Sequence, residues 1–85
     1  MSRISAQVSV YPLRQVSIGP TIREAVRVLR QHDLELRMGS MSTLLCGEEQ
    51  AIFAALQEAF HLAEESGDVV MLVTISNACP SLGEP

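Results

Sequence analysis

From Arg3 to Tyr11 the chain alternates, with Ile4, Ala6, Val8 and Val10 on one side and Ser5, Gln7, Ser9 and Tyr11 on the other. That two-residue period predicts a half-buried strand. Pro12 closes it, because proline cannot donate to a ladder, and Leu13 to Gly19 reads as a polar loop. Pro20 suits the first position of a helix, where its missing N–H is not needed. Ile22, Ala25, Val26 and Leu29 then recur at helical spacing as a core stripe, opposite Arg23, Arg27 and Arg30. His32 and Asp33 mark the helix exit. Leu34, Leu36 and Met38 next alternate with Glu35 and Arg37, pause at Gly39-Ser40-Met41-Ser42-Thr43, and an apolar run resumes as far as Gly47. Strand, small polar turn, strand is a β-hairpin signal. Glu48 and Glu49 open a second helix, where negative charge favours the dipole; its stripe is Ile52, Ala55, Leu56, Ala59, Phe60 and Ala63. Gly67 fits a left-handed helix end, and Val69 to Ser76 reads as a last strand.

The order βαββαβ predicts the ferredoxin-like α+β sandwich, a four-stranded antiparallel sheet with two helices on one face. One consequence follows for the other face. If Val69, Met71, Val73 and Ile75 meet the helices, Val70, Leu72, Thr74 and Ser76 point away, joined by Gln7, Ser9, Tyr11 and one alternating set from Thr43 to Cys46. Exposed Val and Leu among ordered polar groups predict a surface covered by another subunit.

Eighty-five residues make one domain, expected over 1–80, with a loose breaker-rich tail at 81–85. The 47% apolar fraction excludes intrinsic disorder and supports oligomer formation. A net charge of −4 and a single tyrosine on the sheet argue against nucleic-acid binding. No apolar run approaches the roughly 20 residues that span a bilayer, and the start MSRISAQ lacks a secretory core. With two distant cysteines, Cys46 and Cys79, the expectation is a reduced cytoplasmic protein without membrane insertion.

The uncovered face carries hydroxyls and amides: Gln7, Ser9, Tyr11, Ser42, Thr43, Thr74, Ser76 and Asn77. Such groups orient a small neutral or weakly charged molecule while neighbouring apolar residues cover its rings; they are also ordinary on half-exposed strands and in turns. The Arg23, Arg27, Arg30 row could meet a phosphate or carboxylate, or be a solvated helix face. His32, His61 and the cysteines lack metal-ligand spacing, so no metal is expected. No histidine or carboxylate stands beside the hydroxyls as catalysis would need. An enzyme of the small acylphosphatase kind would require an anion cradle, and Leu13 to Gly19 holds only Arg14 and no glycine-rich loop. No catalytic residue is assigned.

Ile4-Ser5-Ala6-Gln7-Val8-Ser9-Val10-Tyr11-Pro12-Leu13, Met41-Ser42-Thr43-Leu44-Leu45-Cys46-Gly47 and Val73-Thr74-Ile75-Ser76-Asn77-Ala78-Cys79-Pro80 together resemble the YkoF-type family of thiamine/hydroxymethylpyrimidine-binding proteins. The resemblance runs from Ile4 to Pro80. It implies a non-enzymatic binder of thiamine or its hydroxymethylpyrimidine precursor, associated with salvage or transport of vitamin B1. The YkoF protein carries two such repeats and this sequence one, so a homodimer or tetramer would rebuild the tandem. Hydroxyl and amide groups match the edge of an aminopyrimidine, and an apolar side chain can cover its ring. The expected ligand contacts are Gln7, Ser9, Ser42, Thr43, Thr74 and Ser76, then Tyr11, Met41 and Asn77. No cofactor is expected beyond the ligand. The competing expectation is a regulatory ferredoxin-like domain that takes another small metabolite, such as an amino acid, at a subunit interface.

Overall fold

The computed structural model describes residues 3–13, 19–39, 42–65 and 67–78, with the side chains among them except those of 19–22. Six elements follow in order: β1 (Arg3–Pro12), α1 (Gly19–Arg30), β2 (Glu35–Met38), β3 (Thr43–Glu48), α2 (Glu49–Glu64) and β4 (Val69–Ser76). The strands form one antiparallel sheet in the order β2-β3-β1-β4. The hairpin partner β3 and the first strand β1 are central, and β2 and β4 are edges. This is the ferredoxin-like α+β architecture that the βαββαβ pattern predicts.

Register decides which side chains share a face. Ile4, Ala6 and Val8 stand opposite Gly47, Leu45 and Thr43 on β3, while Ala6, Val8 and Val10 stand opposite Ile75, Val73 and Met71 on β4. These residues face the helices. Ile4, Ala6, Val8 and Leu45 are buried against Ala25, Val28 and Leu29 of α1 and Ile52, Ala55, Leu56 and Ala59 of α2. Small residues dominate the α2 stripe, which lets the helix lie close to the sheet. Gly47 makes room instead for the segment leading into β2: a Cβ there would stand 3.0 Å from the Leu34 Cβ. At the other end of α2, Gly67 has φ of 139°, a conformation that glycine adopts without a side-chain penalty. Its N–H donates to the Glu64 carbonyl at 3.2 Å, and the Leu13 N–H donates to the Asp68 carbonyl at 2.8 Å, tying the end of β1 to the approach to β4.

Several details depart from the periodicity. Val28 joins the α1 core stripe, whereas Val26 is only half-buried. Phe60, expected within the α2 stripe, is exposed; it borders a hollow with Leu13 and Val69 at the edge of the α2 packing surface. Pro12 lies within β1, paired with Val69, because β1 at that point has β3 no longer beside it and tolerates a missing donor. Cys46 is fully buried and disulfide-bonded, which corrects the expectation of a fully reduced chain; Cys79 lies outside the described residues. Residues 81–85, expected as a tail, also lie outside them. No described helix is long and apolar enough to cross a membrane.

Candidate functional site

Because side chains alternate along each strand, the face away from the helices collects Arg3, Ser5, Gln7, Ser9 and Tyr11 from β1. Leu44 and Cys46 join them from β3, Glu35 and Arg37 from β2, and Val70, Leu72, Thr74 and Ser76 from β4. The register aligns them in cross-strand rows. One row reads Arg37, Leu44, Gln7, Thr74, and the next Glu35, Cys46, Ser5, Ser76.

Where these two rows meet lies a shallow groove of ≈ 260 Å³ lined by Ser5, Gln7, Leu44, Thr74 and Ser76. The Gln7 amide donates from Nε2 to the Ser42 hydroxyl at 3.1 Å, so the β2–β3 turn is fastened to the middle of β1. That bond consumes one amide donor and leaves the Gln7 carbonyl oxygen and the second N–H for other partners. The Ser5 hydroxyl donates to the Ala78 carbonyl at 3.3 Å, and the Ala78 N–H donates to the Ser76 hydroxyl at 3.0 Å. Together these bonds hold the chain beyond β4 against the groove. Arg3 is engaged with Glu35 at 3.0 Å, which neutralises one of the face's two cations. Groove and rim therefore offer hydroxyls, one amide, an apolar Leu44 floor and the Arg37 cation. Donor and acceptor groups converge on a small apolar patch, an arrangement suited to hold a heteroaromatic ring by its edge. Among the described residues no His, Cys, Asp and Glu side chains gather to hold a metal ion.

The expected contacts are only partly brought together. Gln7, Ser42, Thr74 and Ser76 converge on or beside this groove. Ser9 lies on the same face, opposite Leu72. Tyr11 also shares the face, opposite Val70, but is four residues along β1 from Gln7, about 13 Å at strand rise. Asn77 is exposed just past the end of β4. Met41 lies outside the described residues. Thr43 is on the opposite face: it pairs with Val8 and Met38, is 9% exposed, and looks toward α1. Its placement beside Gln7 is thus corrected, since a one-residue step along a strand reverses the side. Leu44 takes the position expected of Thr43. It was hidden from the sequence because only the β1–β3 register tells which alternating set of β3 faces out.

Thr43 instead borders a separate cleft of ≈ 240 Å³ between α1 and the sheet, together with Val8, Ala25, Leu29 and Met38.

Fold and groove define a small ferredoxin-like binding domain with a polar-edged hollow on its uncovered sheet face. Residues 6–77 match the family described as thiamine-binding protein, and the chain belongs to that family. It is 32% identical over 60 residues to the UPF0045 protein MJ1052 of Methanocaldococcus jannaschii; the match takes in 69% of this chain and spans about 60% of that relative's length. The crystal structure of MJ1052 superposes with a TM-score of 0.82 at 28% identity, covering 89% of this chain and 80% of that one. Protein SP2199 of Streptococcus pneumoniae gives 0.80 at 24% identity, covering 87% and 84%. TM0486 of Thermotoga maritima, a proposed thiamine biosynthesis or salvage protein, gives 0.80 at 15% identity, covering 94% and 90%. The last two likenesses concern the fold.

Proposed function

We propose that this chain binds thiamine or its hydroxymethylpyrimidine precursor, without converting it, in vitamin B1 salvage or transport. The observation that carries this reading is the Gln7–Ser42 pair beside Thr74 over the Leu44 floor, in a member of the thiamine-binding family. An aminopyrimidine has a donor amine and ring-nitrogen acceptors on one edge. The Gln7 carboxamide, which both donates and accepts, matches that edge, and the Thr74 and Ser76 hydroxyls complete it. Leu44 lies beneath the ring. Ser9 extends the polar edge toward Leu72, and Asn77 flanks Ser76.

The groove's ≈ 260 Å³ falls below the roughly 300–1,000 Å³ of most small-molecule pockets. One subunit thus offers room for the pyrimidine half. A second copy packed on the exposed Tyr11, Val70 and Leu72 would deepen the hollow and bury those apolar groups. The protein then works as a homodimer or tetramer, with Tyr11, as a cation–π partner, positioned to meet a thiazolium across the interface.

Calorimetry with thiamine, hydroxymethylpyrimidine, their phosphates and a panel of amino acids tests the ligand. Saturable heat with the pyrimidine compounds is expected. A response to amino acids alone would replace this reading with that of a metabolite-sensing domain.

A further inference from the structure

A second feature of the molecule borders the sheet-face site, sharing Ser9 and Ser42 with it. On the opposite side, the ≈ 240 Å³ cleft between α1 and the sheet is floored by Val8, Val10, Ala25 and Leu29. It adjoins a second hollow of ≈ 310 Å³ lined by Arg23, Val26, Arg27, Arg30 and Met38, the two sharing Val26 and Met38 as a common wall. Three of the six arginines in a chain of net charge −4 therefore stand at one apolar cleft. The positive end is not cancelled locally. Glu24 pairs with Arg27 at 2.6 Å, while Arg23 and Arg30 have no ion-pair partner among the described residues. Arg30 instead reaches over the cleft wall, its Nη2 3.7 Å from the Met38 sulfur. Placing Arg27 and Arg30 in the last turn of α1 complements the helix dipole. That account does not extend to Arg23, nor to the hollow beneath.

We propose that this α1 cleft is a second ligand site, for a small amphiphilic anion: a ring-sized apolar body carrying a phosphate or a carboxylate. The body lies against Val26, Leu29 and Met38, whose unbranched, polarizable side chain is suited to adjust to it. The anionic head meets Arg23 and Arg30, whose planar guanidinium forks match the two oxygens of either group. The groups that would hold this ligand, Arg23, Arg30, Val26, Leu29 and Met38, are not those assigned to the sheet-face ligand.

The test uses the full chain labelled with ¹⁵N and titrated with phenyl phosphate, benzoate and, as the neutral counterpart, benzyl alcohol. Phenyl phosphate is expected to shift the amides of Val26, Leu29, Met38 and Gly39 saturably, with the two anions separating a phosphate from a carboxylate preference. Charge-assisted pairing predicts about tenfold weaker binding of the alcohol. Arg23→Gln with Arg30→Gln should weaken the anion's binding by a similar factor, and the corresponding Lys pair, which keeps the charge, should restore part of it. Arg37→Gln, on the other face of the sheet, should leave it unchanged. Shifts confined to Gln7, Leu72 and Thr74, equal binding of the alcohol, an unaffected double variant, or no response to either anion would each overturn the proposal.

Discussion

At the scale of single residues, the Gln7–Ser42 bond separates binding from folding. It is exposed, so Ser42→Ala should change stability by less than about 1 kcal/mol in urea unfolding. The same variant should reduce affinity for hydroxymethylpyrimidine by about tenfold in calorimetry, or about 1.4 kcal/mol. Thr43→Val should leave that affinity unchanged, because its side chain looks toward α1. Equal loss in both variants would mean that the hairpin acts through its backbone. Gly47 is the opposite kind of position, one where volume alone matters. Its missing Cβ makes room for Leu34, and Gly47→Ala should destabilise by about 1–3 kcal/mol, read as a lower urea midpoint. That two adjacent residues of one turn, Ser42 and Thr43, have opposite fates was not legible in the sequence. A turn's composition does not state the phase in which the next strand starts.

At the scale of elements, β1 organises the sheet. It pairs with β3 over its first half and with β4 over nearly all its length, so its two faces set the two faces of the domain. The alternation of Ile4, Ala6, Val8 and Val10 made that strand and its buried side readable in advance. Leu45, directly opposite Ala6 and fully buried, measures the helix-facing side: Leu45→Ala should cost roughly 2–5 kcal/mol by calorimetric or urea unfolding. The helices were legible to the extent that their stripes were. Ala25 and Leu29 are buried as the 3.6-residue period requires, but Val28 replaces Val26 in the core because α1 also packs on α2, and the contact with a second helix rotates the buried stripe. His32, at the exit of α1, meets Glu58 of α2 at 2.7 Å. Their separation along the chain hid that bond.

For the whole molecule, the unequal cover of the sheet is the dominant fact. Helices bury one face, while Tyr11, Leu44, Val70 and Leu72 are exposed on the other, Leu72 at 61%. Light scattering at micromolar concentration should therefore report a dimer or tetramer. Leu72→Glu should shift it toward monomer, since a carboxylate desolvated in such an interface has no partner directly across from it in the subunit. If the groove is completed between copies, the same variant should also weaken ligand binding, although Leu72 does not line the groove in one subunit. A wild-type chain that is monomeric throughout that range would refute the covered-sheet model.

The feature that connects these scales is the β2–β3 turn. Local sequence determined that a turn exists there, that strands of period two flank it, and that two helices follow the strands with one face apolar. Short-range sterics and burial are enough for that, because periodicity is a property of neighbours in the chain. Which hydroxyl of the turn reaches Gln7, which set of β3 side chains floors the groove, and which arginines stand over a cleft were decided by tertiary structure. Each depends on the register between strands distant in sequence and on the rotation of α1 against the sheet. Those quantities are set by packing the whole core at once.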